Sequence, residues 1–100
     1  MWRAFDTGKS IGMKGSELGR IVADEEHDDG ARVTLERDGT NAPWSVTCGI
    51  YGSFMHTAFA SSEEEGRTKY SEIKCELASI MKDESSDSRY AKMRRLSEIY

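Results

Sequence analysis

WSVTCGIYGSFMHTAFAS, residues 44–61, holds two alternating runs that meet at a turn. A two-residue loop at Tyr51-Gly52 uses the tolerance of glycine for positive φ, which tight hairpin turns require. That loop sets Ile50 opposite Ser53, Cys48 opposite Met55, Val46 opposite Thr57 and Trp44 opposite Phe59. Strand side chains alternate between faces. One face is then expected to carry Trp44, Val46, Cys48, Ile50, Met55, Thr57 and Phe59. The other carries Ser45, Thr47, Gly49, Phe54, His56 and Ala58. A slip of one residue would move Met55 and Phe59 away from Trp44 and Val46, so the apolar pattern favours this register.

Upstream lies a second hairpin. Leu18 to His27 and Ala31 to Asp38 flank the turn residues Asp28-Asp29-Gly30. The second run alternates cleanly, with Ala31, Val33 and Leu35 inward and Arg32, Thr34 and Glu36 outward. The first run does not, because Ile21, Val22 and Ala23 are apolar in a row. Four strands joined by short turns make an antiparallel meander.

Downstream, Ser62 and Glu65 stand in capping-box spacing, with Glu63, Glu64 and Glu65 at the positive end of the helix dipole. Tyr70, Ile73, Leu77, Ile80 and Met81 share a face at helical spacing, with Gly66 on the same face. The spacing predicts a helix from Ser62 to about Lys82. A shorter helix follows over Asp87 to Tyr100, with Tyr90, Met93, Leu96 and Tyr100 on one side. The expected class is α+β: a four-stranded antiparallel meander packed on one long helix, plus a short C-terminal helix. The core should join Trp44, Val46, Cys48, Ile50, Val33, Leu35, Ile73, Leu77 and Ile80.

Residues 1–17, with Gly8, Gly12 and Gly15 among lysines and serines, read as a loosely structured arm ahead of a single domain over 18–100. Thr7-Gly8-Lys9-Ser10 ends like a phosphate-binding loop, but Arg3 stands where that pattern needs its first glycine. Glu25 to Glu36 has calcium-loop spacing at some positions. Glu25 replaces the first aspartate, however, and His27 is a poor ligand for a hard cation.

One hundred residues suffice for one small domain. Apolar residues are 37% and charged residues 32%, which points to a thin core or a core completed by a partner. No apolar run is long enough to span a membrane. The net charge of −4 argues against nucleic acid, whose backbone is held by clustered Lys and Arg. Cys48 and Cys75 lie in unrelated elements and are expected to be free thiols, as in a reducing cytoplasm.

Neither cysteine has a local metal-ligand partner, and a zinc site needs three or four ligands together. Ser53 and Thr57 have no histidine–carboxylate relay, and no catalytic residue, metal or cofactor is assigned. The function expected is a small binding or regulatory module acting through a homodimer or a protein partner. Its interface is expected at Phe54, His56, Ala58 and Thr47 on the hairpin face away from the long helix, with Tyr90 and Met93 near the rim. The competing expectation is a small metal-dependent or small-molecule enzyme using His56 or His27.

Overall fold

The computed structural model describes residues 1–100. The element order is β1 (Trp2–Ala4), a single helical turn (Phe5–Gly8), β2 (Arg20–His27), β3 (Ala31–Arg37), β4 (Trp44–Ile50), β5 (Phe54–Ala60), α1 (Glu63–Lys82) and α2 (Ser86–Ile99). The fold is α+β, as the periodicity predicts, but the antiparallel sheet has five strands in the order β1-β2-β3-β4-β5. The extra strand comes from the arm expected to be loose. Trp2 pairs with His27 and Ala4 with Glu25. Residues 9–19 run as turns pinned to β2, where the Gly12 N–H donates to the Ile21 carbonyl (2.8 Å) and the Ile21 N–H to the Met13 carbonyl (2.9 Å).

The three apolar residues in a row on β2 resolve as a bulge. Ile21 pairs with Glu36 and Ala23 with Leu35, leaving Val22 as the extra residue. Ile21 therefore faces away from the helices while Ala23 faces them.

The central hairpin has a different register from the one the sequence favours. Gly52 does take positive φ (79°), and the Ser53 N–H donates to the Ile50 carbonyl (3.0 Å). Tyr51 is not among the positive-φ residues, so this is a type II turn rather than the type I′ turn that matches strand twist. Ser53 is added to the loop, and the ladder begins at Ile50 opposite Phe54. Cys48 then faces His56, Val46 faces Ala58 and Trp44 faces Ala60. One added residue turns the whole of β5 over. Phe54, His56, Ala58 and Ala60 lie on the helix side, and Met55, Thr57 and Phe59 on the other.

The core lies between the sheet and the helices. It joins Val33, Leu35, Val46, Cys48, Ile50, Ile73, Leu77 and Ile80, as expected, with Ala31, Ala58, Tyr70 and Leu96. Trp44 is half-buried and packs against this cluster. Gly66 lets α1 approach closely, since a Cβ there would sit 3.2 Å from the Trp44 Cβ and 3.4 Å from a Leu35 methyl. The Ser62 hydroxyl caps α1 by accepting from the Glu65 N–H (3.2 Å). The Glu65 carboxylate reaches back to the Ser61 N–H (3.2 Å). The Ser85 hydroxyl caps α2, accepting from the Ser88 N–H.

α1 presents Tyr70 and Lys74 toward β2, where both reach Glu25, and Lys69 toward β5, where it reaches the Phe59 carbonyl. Glu72 lies on the Lys69 side at helical spacing, and the Tyr100 hydroxyl donates to it (3.1 Å). α2 therefore packs beside α1 on its β5-ward side, with Leu96 buried in the core. It does not cover the opposite sheet face.

Candidate functional site

The sheet face away from the helices is built in transverse rows, because cross-strand partners align side by side. One row runs Asp24, Thr34, Thr47, Thr57 from β2 to β5. On one side of it lies the row Glu26, Arg32, Gly49, Met55, and on the other Ile21, Glu36, Ser45, Phe59.

The β2–β3 half of this face is closed by the chain itself. Arg32 grips the buried Asp24 with two parallel bonds, Nε to Oδ1 (3.0 Å) and Nη2 to Oδ2 (2.7 Å). The Thr34 hydroxyl donates to the same carboxylate (2.9 Å). The guanidinium lies 3.5 Å from the centroid of the Phe5 ring, a cation–π contact. Hydrogen bonding to Asp24 holds the Arg32 pKa above its ordinary value against the opposing effect of burial. Next to it, the fully buried Glu36 carboxylate accepts from the N–H groups of Glu17 (3.2 Å) and Gly19 (3.1 Å). The loop passes so close that a Cβ on Gly15 would fall 2.3 Å from the Glu36 carboxyl carbon.

Across β4 and β5 the face opens toward β5: Ser45 is buried, but Met55 is 74% exposed and Phe59 42%, with Thr57 between them. The Thr47 and Thr57 hydroxyls are 3.2 Å apart. Between the halves runs a groove of about 660 Å³ lined by Lys14, Arg32, Thr34, Thr47, Gly49 and Met55, among others. Gly49 forms part of its floor, where a Cβ would meet the Phe54 carbonyl oxygen at 2.7 Å. The only guanidinium in the groove is already paired with Asp24. Cys48 lies beneath it, and burial pushes that thiol up to about 12, so it is a neutral, unreactive group.

β5 also ends the sheet, and its outer edge has no strand partner. The Tyr51 N–H donates to Gly30 on the β3 side, so the alternating ladder turns the even-numbered residues of β4 toward β5. Their partners Phe54, His56, Ala58 and Ala60 bond inward, and the N–H and C=O of Met55, Thr57 and Phe59 point out. Lys69 Nζ, 2.7 Å from the Phe59 carbonyl, meets one of these outward groups. The strand carries no Asp, Glu, Lys, Arg or Pro, the residues that ordinarily guard an edge. The opposite edge, β1, is three residues long and carries Arg3, which pairs with Glu26 and Asp28.

Of the residues expected at an interface, Thr47 alone lies on the open sheet face. Ala58 is buried in the core, and Phe54 packs against it. The half-buried His56 ring stacks on Phe54, with centroids 6.5 Å apart. Met93 packs against the core, and Tyr90 is exposed on α2. The expected patch is thus split by the thickness of the sheet. Its open members are instead Met55, Thr57 and Phe59, which the two-residue loop assigned to the core. The signal for them was the unfavourable pairing of Tyr51 with a positive φ.

His27 and His56 stand on β2 and β5, about 14 Å apart or more across three strand spacings. No three His, Cys, Asp or Glu side chains converge in metal-ligand geometry. His27 packs edge-on against Trp2, with centroids 5.1 Å apart, and its Nδ1 accepts from the Asp29 N–H (3.1 Å). Beside them, Glu25 accepts from Lys74 (2.9 Å) and the Tyr70 hydroxyl (2.7 Å). Burial opposes ionisation of Glu25, but these hydrogen bonds outweigh it and hold the pKa below its ordinary value. No helix is long and apolar enough to cross a membrane. Comparison with protein-family models, curated proteins and solved structures gave no match.

Proposed function

We propose that this chain is a small protein-interaction module that receives a partner's extended strand along β5. One observation carries the reading: β5 is a seven-residue edge strand without Asp, Glu, Lys, Arg or Pro that carries the exposed Met55 and Phe59. Strand addition uses outward N–H and C=O groups for affinity and alternate side chains for selectivity. β5 offers both along the same segment. The unpaired thiols Cys48 and Cys75 fit a cytoplasmic setting. The enzyme reading has less support, because His27 and His56 lie far apart and the groove arginine is already paired.

The test is selection of short extended peptides from a display library, followed by residue-resolved amide exchange with a selected synthetic peptide. Bound peptide is expected to slow the Met55, Thr57 and Phe59 amides. Thr57→Pro deletes one outward donor without touching the β4 ladder, and is expected to abolish binding. Selected peptides that leave those amides unchanged, or that bind Thr57→Pro equally well, would refute the reading.

A further inference from the structure

The strand that β5 is best suited to receive is another β5. We infer that two copies pair antiparallel along this edge, about a two-fold axis at Thr57, to form one continuous ten-stranded sheet; this rests on the strand-addition reading above. The segment is self-complementary. Antiparallel pairing centred on Thr57 sets Met55 of one copy opposite Phe59 of the other, twice, on the open face. There the exposed apolar side chains cover each other, with the two threonines between them. On the helix face the same register sets Phe54 opposite Ala60 and His56 opposite Ala58, so every large ring meets a small residue. No Asp, Glu, Lys or Arg lies on the strand itself to repel its copy, and the fixed charge at this edge is the Lys69 ammonium at the Phe59 carbonyl.

The backbone agrees with this register. Met55, Thr57 and Phe59 are the residues whose N–H and C=O point outward, and they are the set that pairs. The Thr57 pair exchanges two hydrogen bonds free of any competitor. The Phe59 carbonyl already accepts from Lys69, and its second lone pair is available to the partner's Met55 N–H. α2 lies on the β5-ward side of α1, so the axis brings the two α2 helices to the same side of the joined sheet. An isologous contact of this kind closes at two copies and leaves only the short β1 edges outside.

The test is sedimentation equilibrium from about 1 µM to about 1 mM, combined with amide exchange at both ends of the series. The wild-type chain is expected to reach dimer mass, with the Thr57 amide slowing as the dimer forms. Met55→Lys with Phe59→Lys sets like charges opposite each other at two pairs and is expected to weaken the dimer about a hundredfold or more. Met55→Lys with Phe59→Glu sets opposite charges at the same pairs and should restore dimer formation. This rescue is specific to the register. A wild-type chain that stays monomeric throughout, with a freely exchanging Thr57 amide, overturns self-pairing. The peptide experiment then decides separately whether the edge takes other strands. A dimer that responds equally to both double variants overturns the β5 register as its interface.

Discussion

Gly15→Ala tests the closure of the open face at a single atom. A Cβ at this position would lie 2.3, 2.5 and 2.6 Å from the three carboxyl atoms of Glu36. No Cβ tolerates such separations, so either the carboxylate or the loop must retreat. The carboxylate is fully buried and accepts from the Glu17 and Gly19 N–H groups, with no cation beside it. Moving it by the ångström or so required lengthens both charge-assisted bonds, each worth about 1.5–3 kcal/mol. We expect a loss of about 3 kcal/mol in urea unfolding, a large part of the stability of a domain this size. The cause is separable by a double-mutant cycle. Glu36→Ala removes the obstruction, and Gly15→Ala made on that background is expected to cost under about 1 kcal/mol. If Gly15→Ala is harmless in the wild-type chain, or equally damaging in both backgrounds, the contact between loop and carboxylate does not close this face.

Leu77→Ala truncates a fully buried α1 side chain and is expected to cost about 2–5 kcal/mol in the same assay. A loss well under 1 kcal/mol would remove α1 from the core. Cys75 is exposed and Cys48 buried with a strongly raised pKa, so a bulky thiol reagent should modify Cys75 well before Cys48 in the native chain. The reverse order would contradict the placement of β4. The Glu25 pKa is lowered from its ordinary 4.5, so its contribution to stability is present above that value and is lost as pH falls through the folded pKa. The stability gap between wild type and Glu25→Gln should therefore close on acidification, and a gap that widens in acid would be the wrong sign. Burying Asp83 costs little beside the hydrogen bonds from the Ser88 hydroxyl, the Ser85 N–H and Lys92, which hold its pKa down to about 2. Its contribution is therefore full above the ordinary 3.8 and is lost as pH falls toward 2, so the wild-type advantage over Asp83→Asn in helical circular dichroism should be present at neutral pH and vanish in strong acid. No difference at neutral pH, or one that persists undiminished in strong acid, would show that this carboxylate does not hold the turn.

The sequence was most legible where one local signal sufficed. Ser62 and Glu65 announced the start of α1, and the apolar stripe from Gly66 to Ile80 announced its buried face. The alternation from Ala31 to Glu36 assigned β3 correctly, and that from Trp44 to Ile50 did the same for β4. The central hairpin failed on one residue. Glycine at the second loop position satisfies two turn types, and only the φ of Tyr51 distinguishes them. The apolar pattern could not correct the error, because β5 is apolar on both faces: Phe54 and Ala58 on one, Met55 and Phe59 on the other. That two-sided character hid the register and, through it, the open β5 side of the sheet. The arm was misread for another reason. Trp2–Ala4 is too short to show alternation, and its pairing with Glu25–His27 is a long-range contact with no local signature. Neither could the closure of Glu36 by Gly15, Glu17 and Gly19 be read, since it depends on a loop crossing from outside the hairpin.

The most direct measurement of the account is residue-resolved amide exchange along β5 at low and high chain concentration. The structure turns the N–H groups of His56 and Ala58 into the β4 ladder and those of Met55, Thr57 and Phe59 toward the free edge. We expect His56 and Ala58 to be protected at every concentration, with Met55, Thr57 and Phe59 exchanging quickly when dilute and slowly when concentrated. Protection of Met55, Thr57 and Phe59 in the dilute chain, with His56 and Ala58 exchanging instead, would mean that the hairpin has the other register and that the edge described here does not exist.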